Sequence, residues 1–146
     1  MEIDWNNIDD KIKQLSLENE EKIGKVVSVY DGDTIKIVFP LNNKLYKWNC
    51  RLGRVDTPEL RTKNLIEKKY GYIVRDKLRE KILNKVVKIK CGDFDKYGRL
   101  LGEIFIENDN KEEVSINQWL IDNNYAFEYD GGTKKSWLEY LENNNL

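Results

Sequence analysis

A pair of strand-like segments joined by a tight turn limits the fold of this chain more than any other feature. Residues 25–30 and 34–39 are rich in Val, Ile and aromatic residues, which favour β-strands. Asp31-Gly32 lies between them, and Asp-Gly between two apolar runs is typical of a hairpin turn. The chain is therefore predicted to start its core with an antiparallel hairpin.

Further segments extend this hairpin. After a loop at residues 40–44, three more strands are predicted, over residues 45–52, 86–91 and 100–106. A helix is predicted over residues 70–83, where apolar residues recur at helical spacing. Five strands with a helix between the third and the fourth is the order of an OB-fold, a small Greek-key barrel.

Two shorter helices are predicted near the C-terminus. Ser115 can cap a helix that runs to about residue 123, and Thr133 can cap a last helix that contains Trp137. The predicted fold class is therefore α+β: an OB-fold five-stranded Greek-key β-barrel with about three packed α-helices.

The first 21 residues differ from the rest in charge. They carry seven acids and two lysines, a net charge of −5, which leaves +4 for residues 22–146. Four apolar residues recur there at helical spacing, namely Trp5, Ile8, Ile12 and Leu15. This pattern predicts a short amphipathic helix over residues 3–17. We divide the chain into an acidic helical extension, residues 1–21, and a main domain, residues 22–146; the extension either covers the domain or acts as a partner-binding or regulatory arm.

Composition limits the class of protein. At 146 residues, with 40% apolar and 35% charged residues, the chain is one ordinary domain with a real core. No apolar run approaches the roughly 20 residues of a membrane span, and the N-terminus lacks the pattern of a secretory signal. We expect an intracellular monomer without a membrane partner. Cys50 and Cys91 are expected to be free and buried.

Three short polar motifs carry the predicted chemistry. In chain order they are Asp31-Gly32-Asp33-Thr34, Arg51-Leu52-Gly53-Arg54-Val55-Asp56-Thr57-Pro58-Glu59 and Asp95-Lys96-Tyr97-Gly98-Arg99. Each alone has an ordinary interpretation, as a hairpin turn, a helix start or a polar turn. Together they combine carboxylates for a hard cation with arginines for a phosphate, which indicates a metal-dependent phosphodiesterase.

The residue types suggest a division of roles. Asp33 and Asp56 offer hard oxygen ligands, to which the Thr57 carbonyl can add another. Oxygen ligands in a chain with no histidine favour Ca²⁺ or Mg²⁺ over Zn²⁺. With no imidazole available, Glu59 is the nearest carboxylate left to orient or deprotonate a water. Two side chains can present a planar fork to phosphate oxygens, namely Arg51 and Arg99.

As a combination, these positions resemble the catalytic set of the staphylococcal nuclease (thermonuclease) family. The resemblance covers roughly residues 23–130 and includes the order of elements as well as the three motifs. It implies a nuclease that depends on one Ca²⁺ ion, with Mg²⁺ or another divalent ion less favoured. Its implied partners are DNA and RNA, cut with little sequence specificity to leave 3′-phosphate ends, with single strands preferred.

The resemblance also assigns roles by position. It assigns Ca²⁺ ligation to Asp33, Asp56 and the backbone oxygen of Thr57, water positioning to Glu59, and the scissile phosphate to Arg51 and Arg99. It assigns a second phosphate to Lys96 and Tyr97, and contact with a base to Tyr129, with Tyr125 as the second candidate.

Two other classes stay open. Some relatives of this family keep the barrel without the chemistry, so the chain is alternatively a catalytically inactive OB-fold nucleic-acid-binding or scaffold module. In the second alternative, the acidic segment over residues 1–21 occludes the mildly basic cleft and regulates access to it. The chain also departs from secreted members of the family, which are strongly basic, and its residues 129–135 continue into an additional predicted helix.

Overall fold

The computed structural model describes residues 1–145. A single 3-10 turn, Trp5–Asn7, comes before the barrel. The strands are β1 (Glu21–Val29), β2 (Thr34–Leu41), β3 (Lys44–Leu52), β4 (Val55–Asp56), β5 (Val86–Phe94), β6 (Leu100–Glu107), β7 (Glu113–Ser115) and β8 (Phe127–Glu128). The helices are α1 (Leu65–Ile82), α2 (Ile116–Asp122) and α3 (Trp137–Asn143).

The five long strands form a closed barrel, as predicted. Their order is β3-β2-β1-β5-β6, and the barrel closes where β3 and β6 run parallel, with Cys50 opposite Leu100. Alternate residues of β2, such as Ile35 and Ile37, are fully buried, so the period-two pattern of the sequence faces the core. The α+β barrel with three helices is therefore confirmed, and both Cys50 and Cys91 are free and buried.

The turns show why the strands end where they do. Asn42 and Asn43, between β2 and β3, both have positive φ, a conformation that asparagine tolerates better than most residues.

The helix α1 begins five residues before the predicted start because the side chain of Asn64 caps it, accepting from the N–H of Glu67. None of the helices within residues 1–145 is long and apolar enough to cross a membrane.

The C-terminal caps were predicted in part. Ser115 caps α2, as expected, by accepting from the N–H of Gln118. The prediction that Thr133 caps the last helix is wrong, since Ser136 caps α3 and accepts from the N–H of Glu139 at 3.2 Å. Serine followed three residues later by glutamate is a capping-box pattern, and this pairing fixes the start of α3.

The predicted helix over residues 3–17 does not form. Only the 3-10 turn is present, and the side chain of Trp5 is 72% exposed. Most of the stability of a short helix comes from packing its apolar face, and the apolar residues of this face are mostly exposed. The barrel instead begins before residue 22, because Leu17 is buried and the N–H of Asn19 donates to the Cys91 carbonyl at 2.8 Å.

Leu17→Ala is expected to lower the free energy of unfolding by about 2–4 kcal/mol, because it leaves a cavity in the core. Leu17 is 2% exposed and belongs to the barrel core, whereas Leu15, two residues earlier, is 65% exposed. Urea denaturation of both alanine variants makes the comparison, and Leu15→Ala should stay within about 0.5 kcal/mol of the parent. Equal losses in the two variants would show that Leu17 contributes nothing beyond a surface leucine.

Candidate active site

An open cavity of about 360 Å³ lies at the end of the barrel where β1, β2 and β3 meet the segment before α1. Four residues that the sequence predicted for the site line it, namely Asp33, Arg51, Glu59 and Arg99. Its other lining residues are Tyr30, Asp31, Thr34, Leu60, Arg61 and Lys134. The three polar motifs therefore meet in space.

The turn between β1 and β2 places two carboxylates at this cavity. The N–H of Asp33 donates to the carboxylate of Asp31 at 3.0 Å, which ties the two residues into one turn. Gly32 lets the turn pack tightly, since a Cβ there would lie 2.7 Å from the Val74 side chain and 2.8 Å from the Cβ of Thr57. No side chain fits in that space, so glycine holds Asp33 close to the Thr57 segment.

A second close approach positions the segment with Asp56 and Glu59. The short strand β4 pairs with β8, Asp56 opposite Phe127, and buries both Asp56 and Thr57. A Cβ on Gly71 of α1 would lie 3.1 Å from the carbonyl oxygen of Glu59. The helix can therefore lie directly against this segment only because residue 71 is glycine.

The two predicted arginines have different environments. The guanidinium of Arg51 donates to the carbonyl oxygens of Leu52 and Val55 and lies 3.4 Å from the carboxylate of Asp33. Arg99 donates from Nε to the Asp95 carboxylate at 2.8 Å. Arg51 thus also supports the local backbone, whereas Arg99 keeps its terminal nitrogens available toward the cavity.

Burial and mutual repulsion shape the electrostatics of the acids. Burial, together with the charge of Asp33, raises the pKa of Asp31 to about 7. Burial also raises the pKa of Asp56 and of Glu59, and the charge of Asp33 adds to both shifts, while Lys134 opposes them. The negative charge of Asp33 therefore acts on Asp31, Asp56 and Glu59, and a cation bound among these carboxylates would relieve the repulsion.

The sequence reasoning missed Lys134 as a site residue. Its ammonium lies 3.6 Å from Oδ1 of Asp56 and lines the cavity with Glu59 and Arg99. Lys134 follows β8, and its distance from the other motifs along the chain gave no signal of this contact. Asp31 and Arg61 were also missed, although Asp31 stands within the first motif and could have been included.

The donor set suits a hard cation. Asp33, Asp56 and Thr57 are all buried around one end of the barrel, and the acids there repel one another. Among residues 1–145, no three side chains of His, Cys, Asp or Glu are grouped as a ready metal cluster. An ion held by two carboxylates and a backbone oxygen would complete its coordination with water or substrate oxygens, as Ca²⁺ readily does.

The predicted substrate-binding residues lie outside this cavity. Lys96 and Tyr97 stand in the turn before Arg99, and Tyr97 is 72% exposed with its ring centroid 5.5 Å from the Arg99 guanidinium carbon. Tyr129 lines a neighbouring cavity of about 410 Å³ together with Asp56. Tyr125, the second candidate for base contact, packs its ring 5.5 Å from that of Trp119.

Comparison with known proteins gives a consistent result. A family model described as staphylococcal nuclease homologue matches residues 49–144, which include Arg51, Glu59 and Arg99. An uncharacterized protein of Methanocaldococcus jannaschii is 34% identical, over 76% of this chain and 61% of its own length. The endonuclease YncB of Bacillus subtilis is 29% identical, over 90% of this chain and 62% of its own length. An uncharacterized endonuclease of Escherichia coli is 27% identical, over 82% of this chain and 69% of its own length. The chain thus spans less than two thirds of the first and second of these relatives.

Proposed function

Because the chain belongs to the family of staphylococcal nuclease homologues, we propose that it is a Ca²⁺-dependent nuclease. It hydrolyses phosphodiester bonds of DNA and RNA with little sequence specificity and leaves 3′-phosphate ends. One observation carries this proposal: a single cavity joins Asp33, Glu59 and two arginines from separate parts of the chain. That the relatives from Bacillus and Escherichia are named endonucleases supports it further.

The residues of the cavity divide the chemistry among them. Glu59 holds the attacking water by accepting its proton in a hydrogen bond, and the raised pKa of its carboxyl makes it a stronger base than a free glutamate. The guanidinium of Arg99 donates to the non-bridging phosphate oxygens, whose charge grows toward the transition state. Arg51, held by backbone carbonyls, offers a second donor that is already oriented.

Asp33, Asp56 and the carbonyl of Thr57 would hold the Ca²⁺ ion. When bound, the ion supplies positive charge beside the phosphate and orients the water. Lys134 partly neutralises Asp56 in its absence, since the two groups are 3.6 Å apart. The chain's own residues therefore keep the acids compatible with folding before the ion binds.

The shape of the site favours an extended strand. The cavity is open, and half-buried Tyr129 lies beside Lys134, whose ammonium is 5.4 Å from the tyrosine ring centroid. Stacking of a base on a tyrosine is tolerant of sequence and requires an unpaired base. We therefore propose single-stranded DNA and RNA as preferred substrates, bound by a monomer.

The proposal is tested by cleavage of a fluorescent single-stranded DNA and a matching RNA by the purified protein. We expect degradation with Ca²⁺ and none with a chelator that removes it. Asp33→Asn should raise the Ca²⁺ concentration for half-maximal activity by about tenfold, because the site loses a full ligand charge. Calcium binding followed by calorimetry should shift in parallel, which separates a binding defect from a chemical one.

Asp109→Asn is the matched control for Asp33→Asn. Asp109 stands in an exposed turn between β6 and β7, so its replacement should leave the Ca²⁺ requirement unchanged. Equal Ca²⁺ requirements in Asp33→Asn and the parent would place the ion elsewhere. Absence of any cleavage, with oligonucleotide binding retained, would favour the inactive OB-fold binding module instead.

A further inference from the structure

A second cavity, of about 690 Å³, adjoins the active-site cavity and shares Lys134 with it. Its lining residues are Phe127, Lys134, Lys135, Ser136, Glu139, Tyr140 and Asn143. We refer to this surface, between β8 and the outer face of α3, as the α3 groove. Its volume lies within the usual range of ligand sites, so it is large enough for a nucleotide unit.

Aromatic side chains with fixed orientations form one wall of the α3 groove. The ring of Phe127 stacks on Trp137 with centroids 4.0 Å apart, and Tyr140 meets Phe127 edge-on at 5.5 Å. Trp137 is buried, whereas Phe127 and Tyr140 are only half-buried. The buried tryptophan therefore holds in place two aromatic rings that remain partly open to solvent, as a platform for stacking requires.

The charges of the α3 groove suit a polyanion. Lys134 and Lys135 are both exposed, and the ammonium of Lys135 lies 5.7 Å from the centroid of the Phe127 ring. Glu139 is the one acid among its lining residues. Basic side chains next to exposed aromatic rings are the usual combination for binding single-stranded nucleic acid.

The neighbouring groove has the opposite charge. The cavity of about 410 Å³ beside Tyr129 is lined by three acids, Asp56, Glu128 and Asp130, against one lysine, Lys135, which also lines the α3 groove. Glu128 and Asp130 repel phosphates that continue from the active site, whereas Lys134 and Lys135 attract them.

We propose that the α3 groove is a nucleotide subsite, which binds the part of a single-stranded substrate that extends beyond the cleaved bond. Lys134 marks the border between the two sites, Lys135 contacts the next phosphate, and Phe127 with Tyr140 contacts a base. This inference rests on the proposed nuclease function and names the path of its substrate. It assigns a role to the segment after β8 and to α3.

The test compares binding of a thymidine octanucleotide and a thymidine dinucleotide by fluorescence anisotropy, in the presence of Ca²⁺. All variants in this test carry Glu59→Gln as well, so that cleavage is too slow to interfere, and Glu59→Gln alone is the parent for comparison. Lys135→Glu should weaken octanucleotide binding by about tenfold and dinucleotide binding much less, since only the longer strand reaches the groove. The slope of log affinity against log salt for the octanucleotide should fall by about 1.

Lys44→Glu is the matched control, because Lys44 is exposed at the β2–β3 turn. This turn lies roughly 23 Å along β3 from Arg51, at about 3.3 Å per residue. If Lys135→Glu and Lys44→Glu weaken octanucleotide binding equally, the proposal of a subsite in the α3 groove is wrong, while the proposed nuclease function stands. If the parent binds neither oligonucleotide, both proposals fail. Lys135→Met should give an intermediate loss, and thermal unfolding checks that every variant folds.

Discussion

Glu59→Gln is expected to reduce the rate of DNA cleavage by on the order of 10² to 10⁴, the contribution typical of a general base or water-holding carboxylate. Glutamine keeps the size of the side chain and the backbone N–H that donates to Glu67 at 2.8 Å, so the local structure should persist. It cannot accept the proton of the attacking water, because an amide is far less basic than a carboxylate. Initial rates on single-stranded DNA at saturating Ca²⁺ measure the effect.

Two further measurements separate this role from others. Calcium affinity should change little in Glu59→Gln if the residue acts on water, whereas a large loss would make it a metal ligand. Glu107→Gln is the matched control. It removes an exposed carboxylate at the end of β6 that is opposite to Arg99, so this variant should cleave DNA like the parent. A Glu59→Gln variant within threefold of the parent rate would remove Glu59 from the proposed chemistry.

The barrel was predictable because its sequence signals are local. Alternating apolar residues in β2 and the Asp-Gly turn before it specify a hairpin without help from distant residues. The very short strands β4 and β8 were not predicted, since two residues each are too few to show alternation. Their pairing is specified by the barrel end on which they lie, and it is this pairing that buries Asp56.

The N-terminal segment shows where local signals mislead. Trp5, Ile8 and Ile12 have helical spacing, yet all three are exposed and no α-helix forms around them, only the 3-10 turn at Trp5–Asn7. Spacing shows only that a helix would be amphipathic; it does not show that a surface exists to receive the apolar face. In the structure Asp4 and Asp9 make hydrogen bonds to residues within the same segment, so regulation of the cleft by residues 1–21 stays a prediction.

The sequence predicted the charged residues of the candidate site that belong to motifs, but it did not predict every residue that lines the site. Asp33, Arg51 and Arg99 were found because each belongs to a motif whose residue types imply a shared chemistry. Lys134 has no motif of its own, and its contact with Asp56 depends on how residues 129–136 pass over β4. Side chains that join a site through loop geometry carry no periodic or compositional signal in one sequence.

Arg99→Ala is expected to reduce the rate of cleavage by about 10² or more, because a donor aimed at the growing charge of the phosphate is lost. The side chain is one-third exposed, and its partner in the described structure is Asp95, so stability should change little. Burial alone would raise the pKa of Asp95, but hydrogen bonds from the N–H groups of Arg99 and Tyr97, and from the Arg99 guanidinium, lower it. The backbone bonds survive the substitution.

Arg99→Lys tests whether the shape of the guanidinium matters as well as its charge. Lysine restores the positive charge but not the planar fork, so the rate should recover only in part. Arg75→Ala is the matched control, because Arg75 pairs with Asp76 on the outer face of α1 and lies outside the cavity. Full recovery in Arg99→Lys would mean that charge alone is needed. An Arg99→Ala rate equal to that of Arg75→Ala would show instead that Arg51 alone holds the phosphate, despite its bonds to the carbonyls of β3 and β4.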